Sequence, residues 1–234
     1  MRISGFIKNS FLDYPGQIAS VLFVPHCNMN CYYCHNKHLL NDDVQDIPGD
    51  EIFGFLKSRR GFIDAVVISG GEPTIYPDLG PFISEIKDMG YLVKLDSNGM
   101  EPEAIKGLLE ADLLSYIAID YKAPLEKYKT ISDKGVDMEK FKKTVDMLLA
   151  LDIEYEFRTT VVPDLDKEDI LQIAGHIKGA KNYYLQQFRP LKGIGDIIDM
   201  RSIKRPHPKE YLYMVQKEVK KVLTTTKVEL RGVK

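Results

Sequence analysis

The residues with the clearest chemical potential are three cysteines that lie close together in the chain. Cys27, Cys31 and Cys34 are the only cysteines among 234 residues. Their Cys-x3-Cys-x2-Cys spacing brings three thiolates within reach of one metal centre, and thiolates are soft ligands that suit iron–sulfur clusters or zinc. A four-iron cubane normally takes four cysteines. With three, one iron lacks a protein thiolate and is able to bind a substrate or cofactor.

Two other interpretations of this segment stay open. His35 or His38 supplies a fourth ligand if the metal is zinc, although zinc ligands usually come in two pairs separated by a longer loop. The cysteines also fall on one face of a helix if the segment is helical, which would make them plain buried residues. Asn28 and Asn30, following Pro25, favour a loop instead. The spacing therefore favours iron–sulfur over zinc, and both over buried cysteine.

The bulk composition excludes several classes of protein. Hydrophobic residues make up 44% and charged residues 28% of the chain, with a net charge of -2, so the basic footprint of a nucleic-acid binder is missing. The Lys- and Arg-rich stretch from Arg201 to Lys221 is interpreted as a solvated helix face. There is no apolar run of membrane-spanning length and no signal-peptide core. An odd, clustered set of cysteines is a poor disulfide framework, so we expect a cytoplasmic protein.

The elements that must position the cysteines alternate between strands and helices. Helix periodicity recurs near residues 79–89, 105–109, 141–149, 170–177 and 211–222. This alternation predicts βαβ units and a parallel sheet, with fewer units than the eight of a closed barrel. Periodicity alone leaves an open doubly wound sheet and a partial barrel as alternatives. The predicted strands are Ala19–Pro25, Ala65–Ser69, Leu92–Asp96, Tyr116–Asp120, Tyr155–Val162, Tyr183–Phe188 and a short Lys227–Leu230.

The cysteine spacing, with Tyr33 just before the last cysteine, resembles the motif of the radical S-adenosylmethionine superfamily. The resemblance implies a [4Fe–4S] cluster whose open iron is chelated by the amino and carboxylate groups of S-adenosylmethionine. One electron then breaks the S–C5′ bond and gives methionine and a 5′-deoxyadenosyl radical. It also implies a cofactor-binding role for Tyr33. The implied fold is α/β, a partial (β/α)6 TIM-like barrel in a single domain over 1–234, with its core at about 17–190 and a C-terminal helix and strand over 207–231.

A second motif ends the second predicted strand. Paired glycines let a ligand approach the backbone closely, and a proline then stops the strand. Gly70, Gly71, Glu72 and Pro73 resemble the Gly-Gly-Glu-Pro segment of the superfamily, whose backbone binds the methionine amino group. The resemblance implies that these four residues bind the cofactor.

Acidic residues end the next two predicted strands. Asp96, Ser97 and Asn98 follow the third strand, and Asp120 and Lys122 follow the fourth. Both segments resemble motifs of the activases of glycyl radical enzymes. The resemblance implies a monovalent-cation site at Asp96 and Asp120 beside the cofactor carboxylate. It implies cofactor contacts by Ser97, Asn98 and Lys122.

Arg158 lies on the fifth predicted strand, before Pro163. Its segment resembles the activase pattern in which an arginine holds the cofactor carboxylate. An unpaired arginine on a half-buried strand is costly. A structural partner, Glu156 or Glu154, is therefore the alternative to a ligand carboxylate.

Two further segments point to a subgroup. Phe11–Gly16 resembles the Asp-x-Pro-Gly element of the activases, and Gln186–Pro190 resembles the end of compact members described as anaerobic ribonucleoside-triphosphate reductase activating proteins. The implied partners are a glycyl radical enzyme, this anaerobic reductase in particular, and a low-potential electron donor such as flavodoxin or ferredoxin, with no nucleic acid and no membrane. The alternatives are the activase of another glycyl radical enzyme, a compact enzyme acting on a deazaguanine precursor, and, more remotely, a zinc-binding interaction protein.

Overall fold

The computed structural model describes residues 1–191 and 199–233. Contacts divide the chain into two compact units. The first comprises Met1–Asn28 and Asn36–Ala118, and the second comprises Met29–His35 and the chain from Ile119 onward. The single domain expected over 1–234 stays a prediction, and its residues 192–198 and 234 lie outside the described residues.

The first unit is built on four strands and the start of a fifth. β1 (Gly5–Ser10) pairs antiparallel with β2 (Ala19–Val24), which pairs parallel with β3 (Ala65–Gly70), and β3 pairs parallel with β4 (Leu92–Ser97). β5 (Tyr116–Asp120) begins here and ends in the second unit. The helices are α1 (Gly49–Ser58), α2 (Leu79–Asp88) and α3 (Pro102–Glu110), with 3₁₀ turns at Lys37–Leu40 and Pro73–Ile75.

The second unit contains the end of β5 and three further strands. β6 (Tyr155–Val161), β7 (Asn182–Gln187) and β8 (Lys227–Arg231) pair parallel in that order. The helices are α4 (Tyr128–Ile131), α5 (Met138–Ala150), α6 (Lys167–His176) and α7 (Lys209–Val222), with 3₁₀ turns at Leu125–Lys127 and Met200–Ile203. No helix in residues 1–191 or 199–233 is long and apolar enough to cross a membrane.

The order of the strands decides between the two architectures that periodicity left open. Hydrogen-bonded neighbours follow chain order from β1 to β8, whereas a doubly wound sheet reverses its strand order at a switch point. Successive strands joined by helices in chain order are the winding of a barrel. The predicted α/β fold of the partial-barrel type is confirmed.

The local sequence explains why these elements form where they do. The first residues of β3, Ala65 to Ile68, are fully buried, as is typical of a parallel strand covered on both faces. Asp137 caps α5 by accepting hydrogen bonds from the backbone N–H groups of Glu139 and Lys140, and Asp166 and Asp169 form a capping box at α6. All seven predicted strands match β2–β8 to within one residue at each end. β1, α1 and α4 have no counterpart among the predicted elements.

Candidate active site

The cysteines lie in an irregular loop that follows β2. Residues 25–36 contain no helix, so the loop prediction is confirmed and the interpretation as one helix face is wrong. None of the three cysteines is in a disulfide; Cys31 is buried, and Cys27 and Cys34 are partly exposed. Three free thiols on one loop remain available as metal ligands.

Contacts within the second unit fix the part of the loop that carries Cys31 and Cys34. The backbone N–H of Asn30 donates to Ser132 Oγ at 2.8 Å. The hydroxyl of Tyr32 donates to Asp164 Oδ2 at 3.0 Å, and the guanidinium of Arg201 lies 4.2 Å from the centre of the Tyr32 ring. Residues after α4, after β6 and near the C-terminal part of the chain therefore hold this segment of the loop.

Cys27 receives a directed hydrogen bond within the first unit. Asn98 Nδ2 lies 3.7 Å from Cys27 Sγ and donates to Asn28 Oδ1 at 2.7 Å. The backbone N–H of Met100 donates to Asn98 Oδ1 at 3.0 Å. The side-chain oxygen of Asn98 therefore has its own hydrogen-bond donor. This arrangement orients the NH₂ group of Asn98 toward the sulfur. Hydrogen bonds to ligand sulfurs are one of the factors that set cluster potential.

The paired glycines are required by the packing of the chain against the start of the cysteine loop. Gly70 has a φ of +110°, and a Cβ there would lie 2.5 Å from the Val24 nitrogen. A Cβ on Gly71 would lie 1.7 Å from the His26 carbonyl oxygen. Backbone hydrogen bonds from Gly71 to Val24 and from Glu72 to His26, at 2.8 and 2.9 Å, close this contact. The sequence suggested that glycine is needed here so that a ligand can approach the backbone. The structure adds a second reason, because a side chain at either position would collide with the backbone where β2 leads into the cysteine loop.

The buried side chain of Glu72 connects two loops of the first unit by hydrogen bonds. Oε1 accepts from the Thr74 backbone N–H at 3.1 Å, from Thr74 Oγ1 at 2.6 Å and from Ser97 Oγ at 2.8 Å. Oε2 accepts from the Asn98 backbone N–H at 2.7 Å. Burial raises the pKa of Glu72, and these hydrogen bonds act against that rise. The carboxylate therefore holds Ser97 and Asn98 in place, while Pro73 begins the adjoining 3₁₀ turn.

Asp96 is neutralised by a residue that sequence reasoning missed. Lys94 Nζ donates to Asp96 Oδ1, and Ser69 Oγ donates to Asp96 Oδ2 at 3.2 Å. The Lys94 side chain is only 2% exposed, and its ammonium lies 5.9 Å from the centre of the Tyr116 ring. A lysine inside an otherwise apolar strand, two residues before an aspartate, was the available indication, because residues i and i+2 of a strand share one face.

The second unit brings together Asp120, Lys122 and Arg158. Lys122 Nζ lies 3.1 Å from Asp120 Oδ2, and Arg158 Nε lies 2.9 Å from Asp120 Oδ1. Burial acts to raise the pKa of Asp120, but the two cations outweigh it and hold the pKa well below its usual range. Burial acts to lower the pKa of Lys122, but Asp120 and the Cys31 sulfur outweigh it, so the pKa is raised. Lys122 thus stands in the electrostatic field of Cys31.

The structural partner of Arg158 differs in part from the expectation. Glu156 lies 4.0 Å from Arg158 Nη1, as one of the two alternatives anticipated. Glu154 is wrong as a partner, because it lies before the start of β6 and pairs with Lys181 at 3.1 Å. Asp120, 2.9 Å from Arg158 Nε, lies nearer to Arg158 than Glu156 does, and it comes from the neighbouring strand. A single sequence does not reveal such a pairing.

Tyr33 is buried beside the cysteines of the second unit. Its ring makes edge-to-face contacts with Tyr32, at 5.2 Å between centroids, and with Phe188, at 6.5 Å. Burial raises the pKa of Tyr33, and the Lys122 ammonium acts in the opposite direction. The neutral phenol therefore packs against the loop, and its contact with a cofactor stays a prediction.

The donor set suits an iron–sulfur cluster better than a zinc ion. His35, one of the two candidate fourth ligands, has its Nε2 3.0 Å from the carbonyl oxygen of Arg189. In the described ranges 1–191 and 199–233, no group of three or more His, Cys, Asp or Glu side chains converges to hold one metal ion. On chemical grounds, three soft thiolates on one loop fit a cubane with one open iron, and their convergence on one cluster stays a prediction.

Comparison with known proteins places this site in a family. The family model described as Radical SAM superfamily matches residues 21–177. This chain belongs to the radical SAM superfamily. The matched range includes the three cysteines, the Gly70–Pro73 segment, Asp96, Asp120 and Arg158. Membership implies a [4Fe–4S] cluster and S-adenosylmethionine, and the chain is a radical SAM enzyme.

Three curated proteins are similar to this chain over most of its length. A protein of Methanocaldococcus jannaschii, provisionally named a glycyl-radical enzyme activating enzyme, is 38% identical over 214 residues, covering 89% of this chain and 87% of that protein. The pyruvate formate-lyase-activating enzyme of Clostridium pasteurianum is 26% identical, covering 83% of both chains. The 7-carboxy-7-deazaguanine synthase of M. jannaschii is 32% identical, covering 68% of this chain and 70% of that enzyme.

A solved structure shares the fold of this chain. The crystal structure of Streptococcus suis SuiB bound to S-adenosylmethionine aligns with a TM-score of 0.70 and 13% identity. The alignment covers 91% of this chain and 52% of that one. At this identity, the likeness supports the architecture only, and it agrees with the barrel-type winding described above.

Proposed function

We propose that this radical SAM enzyme is a glycyl-radical-enzyme activating enzyme whose protein substrate is an anaerobic ribonucleoside-triphosphate reductase. In the proposed reaction, a 5′-deoxyadenosyl radical removes a hydrogen atom from one glycine α-carbon of the partner. The products are 5′-deoxyadenosine and a glycyl radical on the partner. The observation that carries the proposal is the 38% identity to the M. jannaschii protein over 89% of this chain, together with the activase-like segments Phe11–Gly16 and Gln186–Pro190.

The residues of the cysteine loop and its neighbours have separate roles in this proposal. Cys27, Cys31 and Cys34 hold the cluster, which when bound supplies the electron that cleaves the sulfur–carbon bond of S-adenosylmethionine. Asn98 directs its NH₂ group at the sulfur of Cys27, and the ammonium of Lys122 stabilises negative charge at Cys31. These two groups favour the reduced, more negative state of the ligand set, because positive and dipolar partners offset added charge.

The remaining predicted residues form the cofactor contacts of the proposal. The backbone of Gly70, Gly71, Glu72 and Pro73 accepts the methionine amino group. Arg158 holds the methionine carboxylate, and Tyr33, Ser97 and Asn98 complete the set. A monovalent cation at Asp96 and Asp120 competes with Lys94 and Lys122, which already pair with those carboxylates. Cation dependence of binding would therefore be weak unless a lysine is displaced.

The experiment that tests this function uses a candidate partner and its glycyl radical. Anaerobically reconstituted protein is incubated with S-adenosylmethionine, a low-potential donor such as flavodoxin or ferredoxin, and the anaerobic reductase. We expect a glycyl doublet by electron paramagnetic resonance and one 5′-deoxyadenosine formed per radical. A doublet with pyruvate formate-lyase but not with the reductase would assign a different glycyl radical partner.

A second candidate function follows from the 32% identity to the deazaguanine synthase. In this case the radical acts on a small heterocyclic precursor of 7-carboxy-7-deazaguanine, and no partner protein is needed. The two candidates separate cleanly in one assay. Turnover of the small substrate without a glycyl doublet would favour the synthase, whereas a doublet without small-molecule turnover would favour the activase.

A further inference from the structure

A row of five charged side chains of alternating sign runs through the second unit. Its members, in spatial order, are Lys122, Asp120, Arg158, Glu156 and Arg231. We call this set the charge row. It contains three cations and two carboxylates, so the described members carry one net positive charge.

Arg231 and Glu156 form the tightest pair of the charge row. Arg231 Nη1 lies 2.6 Å from Glu156 Oε1, and Nη2 lies 2.8 Å from Oε2. This is the bidentate geometry in which a guanidinium binds a carboxylate most strongly. The Arg231 guanidinium also lies 3.4 Å from the centre of the Tyr184 ring. Two independent contacts therefore fix the orientation of Arg231.

The C-terminal strand delivers Arg231 to this position. β8 pairs parallel with β7, and Arg231 is opposite Gln186 at the end of the ladder. Glu156 and Arg158 lie two residues apart on β6, so they share one face of the sheet. The side chain of Arg231 crosses Tyr184 on β7 to reach Glu156. The end of the chain thereby becomes part of the surroundings of Arg158.

Because Glu156 is buried, its ion pair with Arg231 matters for the whole charge row. Its side chain is 0% exposed, and a buried carboxylate must be paired because desolvation of an isolated charge is very costly. Arg231 supplies that pairing at 2.6 Å, whereas Arg158 lies at 4.0 Å from the same carboxylate oxygen. The negative charge of Glu156 is therefore paired mainly with Arg231 on β8. Arg158, although it lies on the same strand as Glu156, interacts with that carboxylate more weakly.

We propose that Arg231 is a positioning residue: by holding Glu156, it keeps Arg158 electropositive and oriented toward the carboxylate of S-adenosylmethionine. This inference rests on the cofactor role of Arg158 in the proposed function. Without Arg231, the Arg158 guanidinium, 4.0 Å away, is the described cation next to the buried Glu156 carboxylate. The 4.0 Å separation then closes, and the Arg158 guanidinium is engaged by Glu156 instead of by a ligand carboxylate.

The decisive experiment measures binding of two ligands that differ in one carboxylate. S-adenosylmethionine and decarboxylated S-adenosylmethionine are titrated into oxidised, cluster-reconstituted protein under anaerobic conditions, where no cleavage occurs. For Arg231→Gln, we expect about a tenfold rise in the dissociation constant for S-adenosylmethionine, equivalent to ~1.4 kcal/mol, and little change for the decarboxylated ligand. Equal weakening of both ligands, or no change for either, would overturn the proposal.

A compensating variant separates positioning from a merely structural role. In Glu156→Gln/Arg231→Gln, the neutral amide no longer draws Arg158 away, so affinity for S-adenosylmethionine should recover toward the wild-type value. Failure to recover in a folded double variant would contradict the mechanism. If Arg231→Gln does not fold, Arg231→Lys is used instead. Lysine keeps the positive charge but loses the two parallel N–H donors of the guanidinium, so it should show a smaller loss of the same carboxylate selectivity. Lys227→Gln, an exposed change on the same strand, is the matched control.

One further variant tells which of the two linked assignments fails. If Arg158→Gln still prefers S-adenosylmethionine over the decarboxylated ligand, the carboxylate contact of Arg158 is wrong and the positioning role goes with it. If Arg158→Gln loses the preference while Arg231→Gln keeps it, only the positioning role is wrong. The activase assignment is measured separately by the glycyl doublet and is unaffected by either result.

Discussion

The carbonyl oxygen of His26 lies 1.7 Å from the position that a Cβ on Gly71 would take. His26 itself has a φ of +57°, in the left-handed region that residues other than glycine seldom adopt. The two residues fix where the chain leaves β2 and starts toward the first cysteine. The glycine pair is thus as much a feature of the cysteine loop as of any ligand that approaches it.

Gly71→Ala should damage the cysteine loop. The new methyl group must displace the His26 backbone, and overpacking of this kind costs roughly 1–3 kcal/mol. We expect a lower free energy of unfolding and fewer irons bound after reconstitution, measured by denaturant titration and iron analysis. Gly107→Ala in α3, where the added methyl group would meet nothing within 4 Å, is the control and should be neutral or stabilising by up to ~1 kcal/mol. Equal iron content in both variants would contradict this account.

Replacement of Cys31 by alanine should separate cluster chemistry from folding. The variant loses one of three thiolates, so we expect fewer than the roughly four irons per chain of a cubane. Dithionite-reduced protein should then form no 5′-deoxyadenosine, as measured by chromatography. A wild-type protein that is colourless and binds one zinc per chain would end the radical interpretation.

Asn98→Leu should shift the potential of the bound cluster. The substitution removes an N–H donor from Cys27 Sγ, and loss of a hydrogen bond to a ligand sulfur makes reduction harder. A redox titration followed by electron paramagnetic resonance should therefore give a more negative midpoint. Asn9→Ala, an exposed change on β1, should leave the midpoint unaltered, and an unchanged midpoint in Asn98→Leu would show that the bond has no electronic role.

Glu72→Gln should destabilise the first unit although it preserves the shape of the side chain. The carboxylate accepts four hydrogen bonds from Thr74, Ser97 and Asn98, and the NH₂ group of glutamine would face some of these donors. Leaving a buried donor unsatisfied costs about 1–3 kcal/mol. Denaturant unfolding measures this loss. Glu103→Gln on the exposed side of α3 should change stability by no more than ~0.5 kcal/mol.

His176 should make stability depend on pH. Burial lowers the pKa of His176 below 6.5, and its Nδ1 lies 2.6 Å from the hydroxyl of the buried Tyr121. The unfolded chain therefore binds the proton more readily. The contribution of His176 to stability is present in full above the unfolded pKa and is lost as the pH falls through that pKa. Unfolding titrations at about pH 7.5 and about pH 5.5, on either side of the ordinary histidine pKa, should show this decline, and His176→Gln should reduce it. A slope identical in the two proteins would exclude His176 as its source.

The sequence was sufficient for features that depend on local pattern. β2 to β8 were predicted because each is a buried or alternating apolar run that ends at a polar or glycine-containing segment, as at Gly70. The cysteine spacing and Gly70–Pro73 are contiguous motifs and were found for the same reason. β1 was missed because Gly5, Lys8 and Asn9 give it no alternating apolar pattern, and its strand character comes from pairing with β2.

Features that depend on pairing between distant segments were not predictable from one sequence. Lys94 was overlooked because the role of a lysine in an apolar strand is recognised only when its contacts with Asp96 and Tyr116 are known. Arg231 and Glu156 are 75 residues apart, and only the order of β6, β7 and β8 brings them together. Arg158 illustrates both cases: its strand was predicted, but its pairing with Asp120 joins it to another strand.

The strands that terminate the sheet order, β1 and β8, also bear on solubility. An outer strand offers unpaired N–H and C=O groups on which another chain can add, and natural proteins discourage such addition with short strands, charges and bulges. β8 is five residues long and carries Lys227, Glu229 and Arg231, and the register of β1 shifts between Ile7 and Ser10. The exposed charges of Lys227 and Glu229 therefore discourage neighbouring molecules from joining edge to edge into aggregates.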